Sequence, residues 1–519
     1  MVNPNSAPSA ANAAAGFEAQ QTSEAHAAAD VAATLDRPGL GREARPLDIY
    51  LLGICGTGVG ALAGFLQRLG HNVRGSDEHV YPPMSDALRQ WGIEVLHGYD
   101  PAHLEPTPDL VVVGNVIRRH NPEAEYVRQN GIPHISMPEA VARFGIGDKH
   151  SVVVAGTHGK TTTTALIAHA LMDAGRDPSF LVGGVLRDYP ESFRAGGGDE
   201  FVVEGDEYDT AYFDKGPKFL HYKPRTAVLT SLEFDHADIY DSVEQIEAAF
   251  GRLIETVAPD GHLVVAHQAE RALRLARQRA GERTLTVYAS RPVADADLVA
   301  TRWQSAADGV RVDVAYRGVD LGRFHVPMWG DYSVQNTLAA IGVLLGIGLE
   351  PERIRHALGR FAGVRRRMDV LGEPAGVTVV DDFGHHPTAV RETLAAARTR
   401  WRNRRVWAIF EPRSATTRRN IFQDAFESAF AAADRVVLGS HARLNEIPEA
   451  ERFSPAAVAT ALRQHGVLAD YVPRVDAIVD LVDAEAKAGD VILVFSNGAF
   501  GGLHQKLLRR LEQRPVNDH

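Results

Sequence analysis

A chain of 519 residues is long enough for about three domains, and 45% hydrophobic with 23% charged residues is ordinary for a soluble globular protein. A net charge of −11, with only short basic clusters at Arg365–Arg367 and Arg402–Arg405, argues against a nucleic-acid partner, which needs concentrated Lys and Arg. The single cysteine, Cys55, excludes an internal disulfide and suits a reducing cytoplasm; no apolar run reaches the ~18 residues of a membrane span, and the N-terminus lacks the basic-then-apolar order of a secretory signal.

Residues 1–45 are rich in Ala, Ser, Asn and Gln and nearly free of large apolar side chains. They read as a disordered tail, unable to bury enough surface to offset its ordering entropy. Order begins with a short apolar strand from Asp48 to Gly53. Gly56-Thr57-Gly58-Val59-Gly60-Ala61 follows, then an apolar helix from Leu62 to Leu69 and a second strand ending at Asp77. Gly56, Gly58 and Ala61 fit the glycine fingerprint of a dinucleotide-binding βαβ unit, and Asp77 stands near the expected ~20-residue distance. With further strands at Leu110–Val113 and His134–Ile135, residues 46–148 read as a Rossmann-like domain. Taken alone, they suggest a nicotinamide dinucleotide.

A second domain, residues 149–362, opens on a strand running into Gly156-Thr157-His158-Gly159-Lys160-Thr161-Thr162. A glycine turn, a lysine and a threonine run before an alanine-rich helical stretch (Ala165 to Leu171) are what a phosphate-gripping loop requires. Backbone N–H groups and a helix N-terminus meet the oxyanions, Lys160 reaches the β/γ-phosphates, and the Thr161 hydroxyl holds Mg²⁺. The standard pattern wants its first glycine at position 154, where this chain has Val. Strands at Phe201–Val203, Ala227–Leu229 and Leu263–Ala266 are followed by Gly330 and a helix from Val334 to Leu345. Glu204, Asp206, Glu207 and Asp209 crowd the end of one strand, where a metal ligand or base belongs in a parallel α/β sheet; the plainer reading is a solvated acidic loop. Asp235-His236-Ala237-Asp238 follows another strand and reads either as a metal ligand or as a cap, through Asp238, for the next helix.

The stretch Phe361-Ala-Gly-Val-Arg365-Arg366-Arg367-Met368 marks a seam into a third domain, residues 363–519. Strands at Val377–Val380, Val406–Phe410, Arg435–Leu438 and Val491–Phe495 alternate with helical runs, which again argues a mostly parallel sheet. Asp381-Asp382-Phe383-Gly384-His385-His386-Pro387 lacks the further Cys or His of a zinc site and better fits a nucleotide or polar substrate. An arginine at the seam is placed to neutralise a transferring phosphoryl group.

In this order, the segments resemble the Mur ligase family of ATP-dependent amide-bond-forming enzymes of bacterial peptidoglycan synthesis. The resemblance spans about residues 47–512. It rests on Gly156 to Thr162, the Glu204 cluster, Asp235 to Asp238, Gly330 to Asn336, and Arg367 with Asp382. It implies an α/β protein of three domains: an N-terminal Rossmann-like UDP-binding domain, a central P-loop ATPase domain and a C-terminal Rossmann-like α/β domain. The first pocket then holds the UDP part of UDP-N-acetylmuramate, with Gly56, Thr57 and Gly58 at the pyrophosphate, Asp77 near the nucleoside and Asn115 among the substrate contacts. Lys160 and Arg367 are implied at the ATP phosphates, Asn336 at adenine and Asp382 at the ribose. Thr161, Glu204 and His236 are implied as Mg²⁺ ligands, and His385 and His386 as facing the incoming peptide. The register favours Arg367 over Arg366. Tyr332-Ser333 replaces the His-Asn that the family often carries in its adenine motif.

Three stretches look like the branch that joins a murein tripeptide, L-alanyl-γ-D-glutamyl-meso-diaminopimelate, to UDP-N-acetylmuramate in peptidoglycan recycling. They are Gly114–Ile117 with Asn121-Pro122, Tyr208–Lys215 with His221–Arg225, and Ser496–Lys506. The expectations are a cytoplasmic enzyme using ATP and Mg²⁺, a monomer or weak homodimer, with no nucleic-acid partner and no membrane insertion. The rival readings are the branch that adds L-alanine, a non-catalytic nucleotide-binding module on the same fold, and a nicotinamide oxidoreductase.

Overall fold

The computed structural model describes residues 45–440 and 447–514; the tail expected over residues 1–45 lies outside them except for Arg45. The chain forms two compact units. One takes the residues up to Gly147 together with Asp209–Tyr222, the other Asp148–Tyr208 and everything from Lys223 onward.

In the first unit, five parallel strands lie in the order β3-β2-β1-β4-β5. They are β1 (Asp48–Leu52), β2 (Asn72–Asp77), β3 (Glu94–His97), β4 (Leu110–Val113) and β5 (His134–Ser136). Every residue of β4 is buried, as expected of a strand covered on both faces. Helix α1 (Thr57–Arg68) starts earlier than the Leu62 its apolar run suggests, because Gly56 serves as its N-cap. The neighbours of β1 leave on opposite sides of the sheet, so the loops after β1 and β4 border the crevice where ligands of such sheets bind.

The second unit begins with β6 (His150–Ala155), β7 (Ser179–Leu181), β8 (Phe193–Arg194) and β9 (Glu200–Gly205). The next hairpin, β10 (Asp209–Ala211) with β11 (Asp214–Pro217), belongs to the first unit. The second unit resumes with β12 (Thr226–Leu229), β13 (His262–Ala266), β14 (Thr284–Ala289), β15 (Leu298–Ala306), β16 (Gly309–Tyr316) and β17 (Val319–Val326). They make a ten-stranded sheet in the order β17-β16-β15-β14-β13-β12-β6-β9-β7-β8. Helix α2 (Lys160–Asp173) is buried continuously from Thr161 to Leu171, and it packs with α3 (Asp331–Gly346) over the sheet. That explains the poor amphipathicity of its sequence, since a helix enclosed on most sides has no polar face to show. The antiparallel ribbon β15-β16-β17 was not anticipated from the sequence. Its strands alternate apolar with charged residues around the turns Asp308-Gly309 and Arg317-Gly318, a hairpin signature outweighed by the many polar side chains.

A six-stranded sheet completes the second unit: β18 (Asp369–Gly372), β19 (Thr378–Asp382), β20 (Val406–Phe410), β21 (Arg435–Leu438), β22 (Leu468–Tyr471) and β23 (Val491–Phe495), in the order β18-β19-β23-β20-β21-β22. Only β18 is antiparallel to its neighbour. Successive residues feed opposite cores. Val380, Ala408, Phe410 and Leu493 pack beneath helix α4 (Pro387–Arg400), whereas Val379, Trp407, Ile409 and Ile492 pack against the helices on the other face. Among the described residues no helix is long and apolar enough to cross a membrane.

His262, on β13, bonds through Nε2 to Thr286 Oγ1 at 2.8 Å and lies against the backbone of Gly346, where a Cβ would come within 2.4 Å of Nδ1. Burial, helped by Arg317 and His150, pushes this imidazole from 6.5 down to about 4. Above pH 6.5 the ring is neutral whether the chain is folded or not; between 6.5 and about 4 only the unfolded chain takes up the proton. Stability contributed by the neutral ring is therefore lost as pH falls through this window, by about 3 kcal/mol. Denaturant titrations at pH 7 and pH 4.5 should show a smaller acid loss, by about 2 kcal/mol, in His262→Gln than in the parent; equal losses would refute the assignment.

Candidate active site

The phosphate loop leaves the buried end of β6. Val154, where a standard loop would have glycine, is fully buried and pairs with Glu204 of β9, so the strand simply continues for longer. The turn comes at Gly156, whose φ is +140° and where a Cβ would lie 2.0 Å from Thr230 Oγ1. Gly159, at φ +82°, caps α2; a Cβ there would be 2.6 Å from Asn336 Oδ1. Both positions therefore require glycine. The segment after β12 pins the loop: Ser231 Oγ accepts from His158 N–H at 2.8 Å, and Thr157 Oγ1 accepts from Glu233 N–H at 2.9 Å. Asn336, deeply buried, accepts from the Thr163 hydroxyl at 3.3 Å just below the loop.

Carboxylates gather around the first turn of α2. Lys160 Nζ lies 2.9 Å from Glu207 Oε2 and 3.8 Å from Asp206 Oδ1. Burial opposes the ammonium charge, but Glu207, Asp206 and Glu204 outweigh it and raise the lysine above its ordinary value. The Thr161 hydroxyl donates to Glu204 Oε2 at 3.0 Å, and the other Glu204 oxygen accepts from Gly183 N–H. Burial, with Asp206 beside it, raises the Glu204 carboxyl. His236, with a positive φ of +54°, places Nε2 3.5 Å from Glu207 Oε1. Glu207 thus links Lys160 to His236 while Glu204 holds Thr161. The fourth carboxylate, Asp209, counts with the first unit and pairs with Lys215. Asp238 does not cap a helix: the next one starts at Val243 after Ser242. Asp235 instead accepts from His236 N–H and Thr416 Oγ1 at 2.7 and 2.9 Å. Burial favours its neutral form, but His236 and His385 overcome that and bring it down to about 2.

The two seam arginines point to different partners. Arg366 bonds Asp381 at 3.1 Å and the carbonyls of Ser496 and Gly498 at 2.6 and 2.9 Å, all within the C-terminal sheet region. Arg367 donates instead to Thr161 Oγ1 at 3.3 Å, and its guanidinium sits 5.1 Å above the Phe383 ring. Both oxygens of the buried Asp382 accept backbone N–H groups, from Met368 and Gly384, each at 2.8 Å; the residue shapes the turn that carries Arg367. His386 precedes α4 and lies ring to ring with His158 at 4.6 Å, while His385 lies half-buried near Asp235. Thr388 Oγ1 donates to Glu233 Oε2 at 2.9 Å. Glu207 was one of the four carboxylates expected as a metal ligand or base, whereas Glu233, Thr388 and Thr416 had no role expected from sequence, because nothing local marks a side chain that meets its partner across a long loop.

Within the first unit, Gly56, Thr57 and Gly58 sit after β1, Asp77 ends β2 and Asn115 follows β4, all at the carboxyl edge of one sheet. Asp77 accepts from Cys55 N–H and His79 N–H at 2.9 Å each, tying the glycine turn to β2. The positive φ in that turn falls at Gly53 (+78°) rather than at Gly56 (−65°).

Three models of one family match the chain in sequence: the Mur ligase family catalytic domain over residues 48–147, the Mur ligase middle domain over 154–344, and the Mur ligase glutamate ligase domain over 366–498. The chain belongs to the Mur ligase family. This Mur ligase is 40% identical over 472 residues to the UDP-N-acetylmuramate–L-alanyl-γ-D-glutamyl-meso-2,6-diaminoheptandioate ligase of Escherichia coli (strain K12), a match covering 90% of this chain and 98% of that protein. It is 36% identical over 472 residues to the UDP-N-acetylmuramate–L-alanine ligase of Roseiflexus sp. (strain RS-1), covering 86% and 96%. Among solved structures, a murein peptide ligase from Psychrobacter arcticus 273-4 superposes with a TM-score of 0.69 at 34% identity, covering 90% of this chain and 99% of that one.

The different partners of Arg366 and Arg367 in this Mur ligase give a direct test. Arg366→Ala removes an ion pair and two carbonyl contacts and should cost about 2 kcal/mol of stability. Arg367→Ala should leave the denaturation midpoint nearly unchanged while slowing nucleotide turnover by about 10²–10³-fold. Urea titration and steady-state phosphate release separate the two; the reverse pattern would exchange the roles.

Proposed function

We propose that this Mur ligase joins L-alanyl-γ-D-glutamyl-meso-diaminopimelate to UDP-N-acetylmuramate at the expense of ATP. One observation carries the reading. Lys160, Thr161, Glu204 and Arg367 converge on one point of a chain 40% identical, over 90% of its length, to a ligase named for these substrates. The three stretches that look like the tripeptide-joining branch support the choice of amine. One of them forms the β10-β11 hairpin of the first unit, with Phe213 edge-on to His134.

A carboxylate cannot be displaced directly by an amine, because oxide would have to leave. In the proposed reaction the lactyl carboxylate oxygen of UDP-N-acetylmuramate attacks the γ-phosphorus of ATP and ADP departs, giving an acyl phosphate. The peptide's α-amine then attacks the acyl carbon, the amide forms and inorganic phosphate leaves. Lys160 and Arg367 are the cations facing the transferring group, and each lowers the cost of the charge spread over its oxygens. Gly156 to Thr162 supplies backbone N–H groups and the N-terminus of α2. Gly56, Thr57, Gly58, Asp77 and Asn115 are proposed to hold the UDP moiety, and Asn336 the base of ATP.

The residues present fit Mg²⁺. The Thr161 hydroxyl and a Glu204 oxygen lie 3.0 Å apart, both hard oxygen donors, and Asp206 beside Glu204 adds negative charge that a cation would offset. Thr161 and Glu204 would hold one ion, and Glu204 with His236 a second. When bound, Mg²⁺ supplies Lewis acidity and charge neutralisation to the phosphate oxygens. We place the reaction in the cytoplasm, where ATP and the nucleotide sugar are both available.

Phosphate release from ATP with Mg²⁺ and UDP-N-acetylmuramate tests the choice of amine. The tripeptide should exceed free L-alanine in kcat/KM by at least about 10²-fold, the discrimination expected when a site built for many polar contacts meets an amine lacking them. Preference for alanine would assign the protein to the alanine-adding reaction. Silence with both, alongside intact UDP-sugar binding, would leave only a nucleotide-binding module.

A further inference from the structure

We propose, on the basis of the reaction set out above, that Arg413, laid over the backbone of Gly498, binds a carboxylate of the incoming peptide. Glu411-Pro412-Arg413 follows β20, and Ser496-Asn497-Gly498 follows β23. These strands are parallel neighbours, and their carboxyl ends form the edge at which ligands of such sheets bind. Gly498 leaves a space that Arg413 fills. A Cβ there would lie 2.3 Å from Arg413 Nε, 2.4 Å from Cζ and 2.5 Å from Cδ. The φ of Gly498 is not positive, so the guanidinium, and not the turn, requires glycine at this position.

The mount beneath the guanidinium is fixed on both sides. Arg366 donates to the carbonyls of Ser496 and Gly498, the Ser496 hydroxyl donates to Glu411 Oε2, and Ser496 Oγ accepts from Gly498 N–H at 3.0 Å. Glu411 N–H donates to the Phe495 carbonyl at 3.0 Å, and three residues beyond Arg413 the Thr416 hydroxyl reaches Asp235, next to His236. The guanidinium itself is 39% exposed and makes no hydrogen bond among the described residues. Its nearest acid, Glu411 Oε1, stands 3.9 Å from Nη1, which orients the group without occupying its donors. A second unmet group lies in the same turn: Asn497 Oδ1 is shielded from water and has no hydrogen-bond partner among the described residues. A guanidinium fork with free donors beside a shielded carbonyl oxygen suits a carboxylate and the amide N–H next to it, the pair that a peptide residue presents. In the proposed reaction Lys160 and Arg367 already meet the phosphates, and the peptide is the reactant whose carboxylates still have no cation.

The test is steady-state phosphate release by the full chain with Mg²⁺, varying in turn ATP, UDP-N-acetylmuramate and L-alanyl-γ-D-glutamyl-meso-diaminopimelate. Arg413→Gln should raise the KM for the peptide about 10- to 100-fold, the loss expected for one charge-assisted pair. The KM for ATP, the KM for UDP-N-acetylmuramate and the denaturation midpoint should stay as in the parent. Gly498→Ala displaces the guanidinium without removing its charge and should move the peptide KM in the same direction; Arg413→Lys, a point charge without the fork, should recover only part of the loss. Turnover by the parent with an unchanged peptide KM in folded Arg413→Gln or Gly498→Ala, or a rise in the KM for ATP instead, would overturn this proposal alone. A parent silent with the tripeptide would overturn the ligase reading and this proposal with it.

Discussion

Lys160 is largely but not fully withdrawn from water at the carboxyl edge of a parallel sheet, within reach of three carboxylates that are themselves partly or fully removed from water. Taking such charges out of water costs several kcal/mol each unless they are paired, so none of these side chains is free to move independently. Glu207 takes up Lys160, Glu204 takes the Thr161 hydroxyl and the Gly183 N–H, and Arg367 arrives from the C-terminal sheet to meet the same hydroxyl. Three carboxylates against Lys160 and Arg367 leave one negative charge in excess. We propose that this site takes a divalent cation together with a polyphosphate, as phosphoryl transfer requires.

The central and C-terminal sheets lie in one compact unit, and the Arg367–Thr161 bond is one of the contacts between them. Besides Arg367–Thr161, the hydroxyls of Thr388 and Thr416 reach Glu233 and Asp235 on the loops after β12. Apolar contact joins the two regions as well, with Trp329 and Tyr332 packed against the C-terminal core and Arg400 lying over the Trp329 ring. The polar contacts supply orientation, each holding a loop that carries a candidate ligand. Geometry near the phosphate loop therefore depends on side chains far away in sequence, Thr416 among them through its bond to Asp235.

Much of the fold was legible in the chain. Leu110–Val113, Val406–Phe410, Arg435–Leu438 and Val491–Phe495 are strands with the bounds their sequences suggested, since a strand covered on both faces needs a continuous apolar run and turn residues at each end. The ribbon from Leu298 to Val326 was not, because a partly solvated antiparallel strand alternates and its charged half masks the pattern. In the site, glycine and lysine spacing located the phosphate loop, but not why Val154 stands where glycine was expected; only the longer β6 explains that. The acidic cluster was visible as four residues, yet the division of labour among them needed Lys160 and Thr161 in place. Arg366 and Arg367 are adjacent in sequence and meet different partners, a distinction set by which way a turn closed by Asp382 directs each side chain.

If this cluster serves the proposed chemistry, an oxygen must pass from the sugar's carboxylate to phosphate. The most direct measurement uses UDP-N-acetylmuramate labelled with ¹⁸O in its lactyl carboxylate, with ATP, Mg²⁺ and the tripeptide, and mass analysis of the phosphate released. One labelled oxygen in the phosphate for each amide formed is the predicted result. Amide formed with unlabelled phosphate would contradict the acyl-phosphate route.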